Sequence, residues 1–344
     1  MKKIIVTGSE GYIGSILCPM LVNNNYNIIG IDNCYFSEGN LNNASFIHYP
    51  LIKKDIRDIE PDDLIGKDIN AIVHLAALSN DPLGFLDEEL TYDINYHSTV
   101  RLAEIAKSIG INNFIFASSC SLYGQSDSIL TEDSPSNPQT PYGKSKILAE
   151  KELYKMANDS FSPTFLRNAT AFGISPRMRF DIVVNNLSGF AKVDREIKIL
   201  GDGKPWRPLV HVKDICRAII ATLDGKRELI HNQSFNIGDN NENYQIKTIA
   251  KKVKDHFKDC HISIAQQDAG DTRDYNVSFD KVNETLGFYS EWSLDRGIKE
   301  IKDVYTAVEL NNEKFNNRLY TRLKQINYLI ENKKIDLSLR RVQT

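Results

Sequence analysis

The chain has 344 residues, which suits one large domain or two ordinary ones. Forty-two basic against 45 acidic residues leave a formal charge of −3, which argues against a strongly basic nucleic-acid binder and against an acidic tail. Mean hydropathy is −0.36, no apolar stretch approaches the ~18–20 residues of a membrane span, and polar Thr7 follows Ile4-Ile5-Val6 too soon for a secretory signal.

The first half alternates short apolar runs with helical patterns. Lys2–Thr7, Tyr26–Ile31, Ala44–His48, Asn70–Leu75 and Asn113–Ser118 read as buried strands, rich in Ile, Val and Phe and followed by polar or Gly-containing turns. Tyr12–Asn23, Leu90–Ser108 and Tyr142–Asn158 read as helices; Ile94, Leu102, Ile105 and Ala106 give the second an apolar stripe. Such alternation predicts an α/β fold, a doubly wound parallel sheet of Rossmann type. After about Phe165 the rhythm loosens around Pro163, Pro176, Pro205 and Pro208. Asp181–Val193, Val212–Asp224 and Gln245–Lys258 still read as helices, and Ser234–Ile237 and Ile262–Ala265 as strands. The expected division is a dinucleotide-binding domain over 1–166, a smaller lobe mainly over 167–304, and a tail over 305–344. Leu319, Leu323, Ile326 and Ile330 predict one amphipathic helix in that tail. The five cysteines, Cys18, Cys34, Cys120, Cys216 and Cys260, are scattered without a C-x-x-C pair. Neither a disulfide framework nor a metal site is expected, and a reducing cytoplasm is.

Gly8-Ser9-Glu10-Gly11-Tyr12-Ile13-Gly14 follows the first strand and opens the first helix. Glycines there let backbone N–H groups and the positive end of the helix dipole meet a pyrophosphate. Asp32 lies eighteen positions after Gly14, at the next strand end. A carboxylate there accepts the adenosine ribose hydroxyls and repels a 2′-phosphate, favouring NAD over NADP.

Tyr142 and Lys146 stand four apart, on one face of a helix. A phenol titrates near 10, too high for a base at neutral pH, and a nearby ammonium lowers that value. Ser119 ends the strand Asn113–Ser118, where open α/β sheets place ligand contacts.

With these motifs in order, the chain resembles an extended short-chain dehydrogenase/reductase of the NAD-dependent nucleotide-sugar epimerase/dehydratase group, similar to UDP-glucose 4-epimerases, from Lys3 to about Lys302. The resemblance implies catalysis by Ser119, Tyr142 and Lys146. It implies NAD held by Gly8, Gly11, Tyr12, Ile13, Gly14, Asp32 and Asn33, with Asp55 and Ile56 beside the adenine. Leu75, Ala76 and Ala77 would lie under the cofactor and Asn95 would be the buried Asn of the following helix, with Tyr142 and Lys146 also touching NAD. A nucleotide-diphosphate sugar would meet Ser79, Thr170, Asn186, Leu187, Arg207 and Arg273. Arg207 stands in Gly201-Asp202-Gly203-Lys204-Pro205-Trp206-Arg207, and an Arg fork suits phosphate oxygens. The family's usual second Arg stands nearer Asp268. A homodimer through the helices Leu90–Ser108 and Tyr142–Asn158 is implied too.

The chain departs from the family pattern at several points. Dehydratases carry Asp-Glu after the Ser/Thr, where this chain has Cys120-Ser121. Thr170 replaces an Asn, and Ser79-Asn80-Asp81-Pro82 is unusual after the cofactor loop. The expected activity is therefore epimerisation at C4 through a transient 4-keto sugar. A C4 oxidase or ketosugar reductase is the alternative, 4,6-dehydration is disfavoured, and a non-enzymatic dinucleotide-binding protein ranks last.

Overall fold

The computed structural model describes residues 1–79, 87–265 and 273–342. Asn80, Asp81, Pro82, Asp268, Asp271 and Thr272, singled out in the sequence, lie outside the described residues. Seven parallel strands form the main sheet: β1 (Lys3–Thr7), β2 (Asn27–Asp32), β3 (Leu51–Lys53), β4 (Ala71–His74), β5 (Asn113–Ser119), β6 (Ser162–Asn168) and β7 (Gln233–Ile237). Their spatial order is β3-β2-β1-β4-β5-β6-β7. The order reverses between β1 and β4, and a crevice opens beyond the carboxyl ends of strands at such a point.

The helices of ten residues or more are α1 (Gly14–Asn23), α2 (Ser98–Ser108), α3 (Pro141–Met156), α4 (Val183–Val193), α5 (Val212–Asp224), α6 (Ile246–His256), α7 (Leu294–Ala307) and α8 (Arg322–Glu331). Strand side chains alternate between faces. Ile4 and Val6 of β1 therefore pack with Leu17 and Leu21 of α1 and Ile215 and Ile219 of α5. Ile5 points the other way, into a cluster with Leu102 of α2, Leu153 of α3 and Ile326 and Leu329 of α8. A third core joins Val184 and Leu187 of α4, Ile249 and Val253 of α6, and Ile298 and Ile301 of α7. It forms the smaller lobe, with short sheets such as Trp206–His211 between Asn243–Gln245 and Thr170–Phe172.

Four elements differ from the sequence expectation. Ala44–His48 is not a strand; the edge strand is Leu51–Lys53. The Asn40 side chain accepts from Ala44 N and donates to Ala44 O, both at 3.0 Å, tying up backbone groups a ladder would need. Leu90–Ser108 is broken by a π-helical segment, Asp93–His97. Ser234–Ile237 joins the main sheet as β7, because Ala169 N donates to Ile237 O and brings the chain back after the excursion that builds the second lobe. The tail helix starts at Arg322, and Leu319 sits in a 3-10 turn before it.

Candidate active site

A cavity of about 870 Å³ opens at the carboxyl ends of β1 and β4. Gly8, Gly11, Tyr12, Ile13, Gly14, Asp32 and Asn33 line one end of it, with Asp55, Ile56, Leu75, Ala76, Ala77 and Ser79. Ser119, Tyr142 and Lys146 line it too, as do Thr170, Asn186, Leu187, Arg207 and Arg273 from the second half. Among the expected site residues, only Asn95 does not line it.

The glycine turn is built by contact. A Cβ on Gly14 would stand 2.3 Å from the Gly8 carbonyl oxygen, and one on Gly8 would stand 2.9 Å from Ala76 N. Gly8 also holds φ +71°, which a side chain disfavours. A Cβ on Gly11 meets only the Gly8 oxygen, at 3.1 Å, so this glycine leaves open room on the cavity side. At the end of β2, Asp32 accepts from Glu10 N (3.0 Å) and Cys34 N (2.7 Å). Burial pushes its carboxyl up to about 6. A buried carboxylate held by two N–H groups and facing a cavity beside a helix N-terminus fits ribose hydroxyls and a pyrophosphate. The residues present thus fit a dinucleotide.

A hydrogen-bond chain sets the loop after β4. Leu75 N and Ala76 N both donate to Thr7 Oγ1 at 3.2 Å. Thr7 Oγ1 thus donates its own proton to His74 Nδ1 (2.7 Å), which leaves Nε2–H to donate to Thr99 Oγ1 (2.8 Å). Thr99 donates on to Asn95 O (2.8 Å). Burial pushes His74 down to about 3, so the ring is neutral, as this tautomer requires. Asn95 sits in the π segment. It accepts from Leu78 N (2.8 Å) and donates to Leu78 O (3.1 Å) and Ser145 Oγ (3.2 Å). Ser145 donates to Tyr142 O (2.8 Å). Asn95 therefore couples the loop to α3 from behind.

On α3, Thr140 caps the helix by accepting from Gly143 N, and Pro141 occupies the first turn. Lys146 Nζ donates to Ala117 O (2.8 Å) and lies 5.7 Å from the Tyr142 ring centroid. Burial pushes the Lys146 ammonium down to about 7, so an anion beside it is strongly favoured. Ser119 Oγ accepts from Ser121 N (3.2 Å). Cys120 does not line the cavity; it is fully buried, its thiol donates to Arg167 O (3.1 Å), and burial raises it. The hydroxyls of Ser118 and Ser121 and Asn168 Oδ1 line the cavity without a partner among the described residues.

At the far end, Asn186 donates to Phe180 O (2.8 Å). Arg207 donates to Trp206 O (2.8 Å) and to Arg273 O, binding the two expected phosphate partners to each other. The polar lining residues that sequence reasoning missed include Arg179, Asp181 and Arg322. Arg179 Nε donates to Asp181 (2.8 Å) and Nη1 to Ser79 Oγ (3.1 Å). Burial works against the Asp181 carboxylate, yet the Arg179 charge holds it below the usual carboxylate range.

A glycine turn and acidic strand end beside a Tyr-x-x-x-Lys helix define a dinucleotide-dependent enzyme of the short-chain dehydrogenase/reductase type. The chain belongs to the NAD dependent epimerase/dehydratase family, whose model matches residues 4–238. It is an enzyme of that family and its cofactor is NAD. A putative UDP-glucose 4-epimerase of Methanocaldococcus jannaschii is 30% identical over 306 residues, 87% of this chain and 96% of that one. The structure of UDP-glucose 4-epimerase from Thermotoga maritima with UDP-glucose superposes with a TM-score of 0.80 at 25% identity, covering 89% of this chain and 99% of that one. UDP-glucuronic acid 4-epimerase from Bacillus cereus, in complex with UDP-glucuronic acid and NAD, gives 0.76 at 26% identity, with 89% and 99% covered.

Proposed function

We propose that the chain is a nucleotide-sugar epimerase that inverts C4 through a transient 4-keto sugar. The observation that carries this is the proton inventory of the cavity. Among the described residues its lining carboxylates are Asp32, Asp55 and Asp181. Asp32 belongs to the cofactor end, and Asp55 and Asp181 are ion-paired with Arg57 and Arg179. Cys120, at the place of the dehydratase acid, is turned into the core. Elimination of water needs an acid and a base at neighbouring carbons besides Tyr142, and among the described residues no such carboxylate or thiol faces the cavity beside Ser119. Epimerisation needs only a base that returns its proton.

Tyr142 takes the C4 hydroxyl proton, with Ser119 hydrogen-bonded to the same oxygen. Lys146 stabilises the phenolate from one helical turn away. NAD, held at the glycine turn and Asp32, would supply the acceptor and then the donor of the C4 hydride. The keto sugar turns between these events, and Thr170 offers its hydroxyls a partner. Asn186, Leu187, Arg207 and Arg273 hold the nucleotide diphosphate, with Ser79 near the sugar. UDP-sugars, which the similar epimerases bind, are the first substrates to try. The second reading, a C4 oxidase or ketosugar reductase, uses the same Ser119, Tyr142 and Lys146. It differs in releasing oxidised or reduced sugar. We also propose a homodimer through α2 and α3, acting in a reducing cytoplasm where its five free cysteines stay free.

The test is a panel of nucleotide sugars with purified protein, reading product stereochemistry and absorbance at the reduced-nicotinamide band. Epimer formed without net NADH supports the proposal. Stoichiometric NADH change favours the second reading. Tyr142→Phe is expected to lose about 10²–10⁴-fold in turnover, the usual worth of a general base. Wild-type turnover in that variant sinks the assignment.

A further inference from the structure

Three arginines, Arg177, Arg179 and Arg322, come together beside the cavity, each less than a tenth exposed. Arg177 is paired with Glu10 (2.9 Å) and Arg179 with Asp181 (2.8 Å). Arg322 differs. Its Nη2 donates to Arg177 O (3.2 Å), its ring-facing side lies 4.3 Å over Phe36, and it forms no ion pair with a described carboxylate. Its Nη1 has no partner among the described residues, though the side chain lines the cavity. Asp181, which accepts from Arg322 N (3.2 Å), is paired with Arg179, and a buried guanidinium with no carboxylate in direct contact is costly, so an anionic ligand is a common reason to keep one. Burial, and then Arg179, push Arg322 down to about 9, while the charges of Asp181 and then Asp32 work the other way.

Two diphosphates come to this cavity. Arg322 stacks on Phe36, four residues past Asp32. That is the cofactor half. Arg207 and Arg273 stand in the other half, tied to each other. The backbone around Arg322 is also fixed to the cofactor half. Gln325 donates to Tyr35 O (2.9 Å), Tyr35 donates to Leu339 O (2.7 Å), and Arg341 donates to Asn33 O (2.7 Å). Ile326 and Leu339 line the cavity alongside.

We infer that Arg322, carried by the C-terminal tail, binds the diphosphate of NAD from the side opposite the glycine turn, so that the tail completes the cofactor site. Arg179, whose Nη2 is likewise unpartnered, shares that anion. The family match stops at residue 238, so this contact belongs to a segment beyond it. The inference rests on NAD dependence and is indifferent to which sugar carbon reacts.

The test compares the full-length chain with Arg322→Met, which keeps the stem and removes the charge, and with Arg322→Lys. Binding of NAD, ADP, adenosine and UDP is measured by calorimetry, and thermal unfolding is followed without nucleotide. Arg322→Met is expected to weaken NAD and ADP by about 10- to 100-fold, the worth of charge-assisted hydrogen bonds to phosphate, and to leave adenosine unchanged. Arg322→Lys recovers part of the loss. Without nucleotide, Arg322→Met should unfold no earlier than the parent, because an uncompensated buried charge has gone. A variant that unfolds earlier or fails to fold, with an unaltered ratio of ADP to adenosine affinity in Arg322→Lys, assigns Arg322 to the scaffold and overturns the inference. Weakened UDP with unchanged ADP overturns it as well.

Discussion

With NAD's ribose hydroxyls on Asp32, as proposed, a single side chain would tie cofactor binding to pH. Burial raises its carboxyl to about 6, above the ~4 of a free Asp. Ribose hydroxyls donate to the charged carboxylate, so NAD binding favours the deprotonated form. Affinity is therefore full above about 6 and falls toward tenfold per pH unit as pH drops below that. Asp32→Asn should bind NAD more weakly at pH 7.5 and lose this slope. Titrations of NAD at pH 5.0, 6.0 and 7.5 read both, and an unchanged slope in the variant would show that another group titrates. Asp32 was legible because the turn, the strand and the acid are adjacent in sequence, and so were Tyr142 and Lys146 at helical spacing. Arg179, Asp181 and Arg322 were not. Nothing local marks them: Arg322 reaches the cavity only because α8 packs on the cofactor half, and the motif rules describe segments, not their meeting.

At the scale of elements, period and turn chemistry located five of the seven sheet strands to within a residue or two; Ser162–Asn168 was not foreseen as a strand. They failed where another contact outranked the pattern. Ala44–His48 has the apolar run of a strand, but Asn40 takes its backbone groups. Ser234–Ile237 has a strand's pattern, yet nothing in it says which sheet it joins. A junction in the smaller lobe shows how one buried acid can set an element's response to pH. Glu242 ends a 3-10 turn and accepts from Leu294 N (2.8 Å) at the start of α7. Burial raises its carboxyl to about 7, against which the Leu294 N–H works. Between the unfolded value of ~4.3 and about 7 the folded chain holds a proton that the unfolded chain has released. Stability contributed by Glu242 is thus fully present at low pH and declines as pH rises through that window. Glu242→Gln keeps the acceptor and removes the charge. It is expected to raise the unfolding midpoint at pH 8 and to leave it unchanged near pH 4. A lower midpoint at pH 8 would mean that the carboxylate is favourable where it stands.

For the whole molecule, the two halves share one cavity, and the tail bears on the question of assembly. Ile326, Leu329, Ile335 and Leu339 of the tail are buried in the core behind β1 and β4, so its apolar stripe is satisfied by its own chain. That stripe is therefore not offered to a partner. On α3, Leu148 and Tyr154 are 36% and 61% exposed, on the side of the helix turned away from Leu153 and Ala149 in the core. Large apolar side chains on a helix that otherwise covers a sheet are what an isologous four-helix contact uses, each residue meeting its copy across a two-fold axis. The proposed homodimer through α2 and α3 predicts a solution mass of twice 39.0 kDa by light scattering. Leu148→Asp places two like charges near that axis and is expected to give a monomer with retained NAD. The Leu319→Asp variant in the tail should leave the mass unaltered, since the tail lies outside the contact. A monomeric parent chain, or a Leu148→Asp chain that still dimerises, would remove α3 from the assembly.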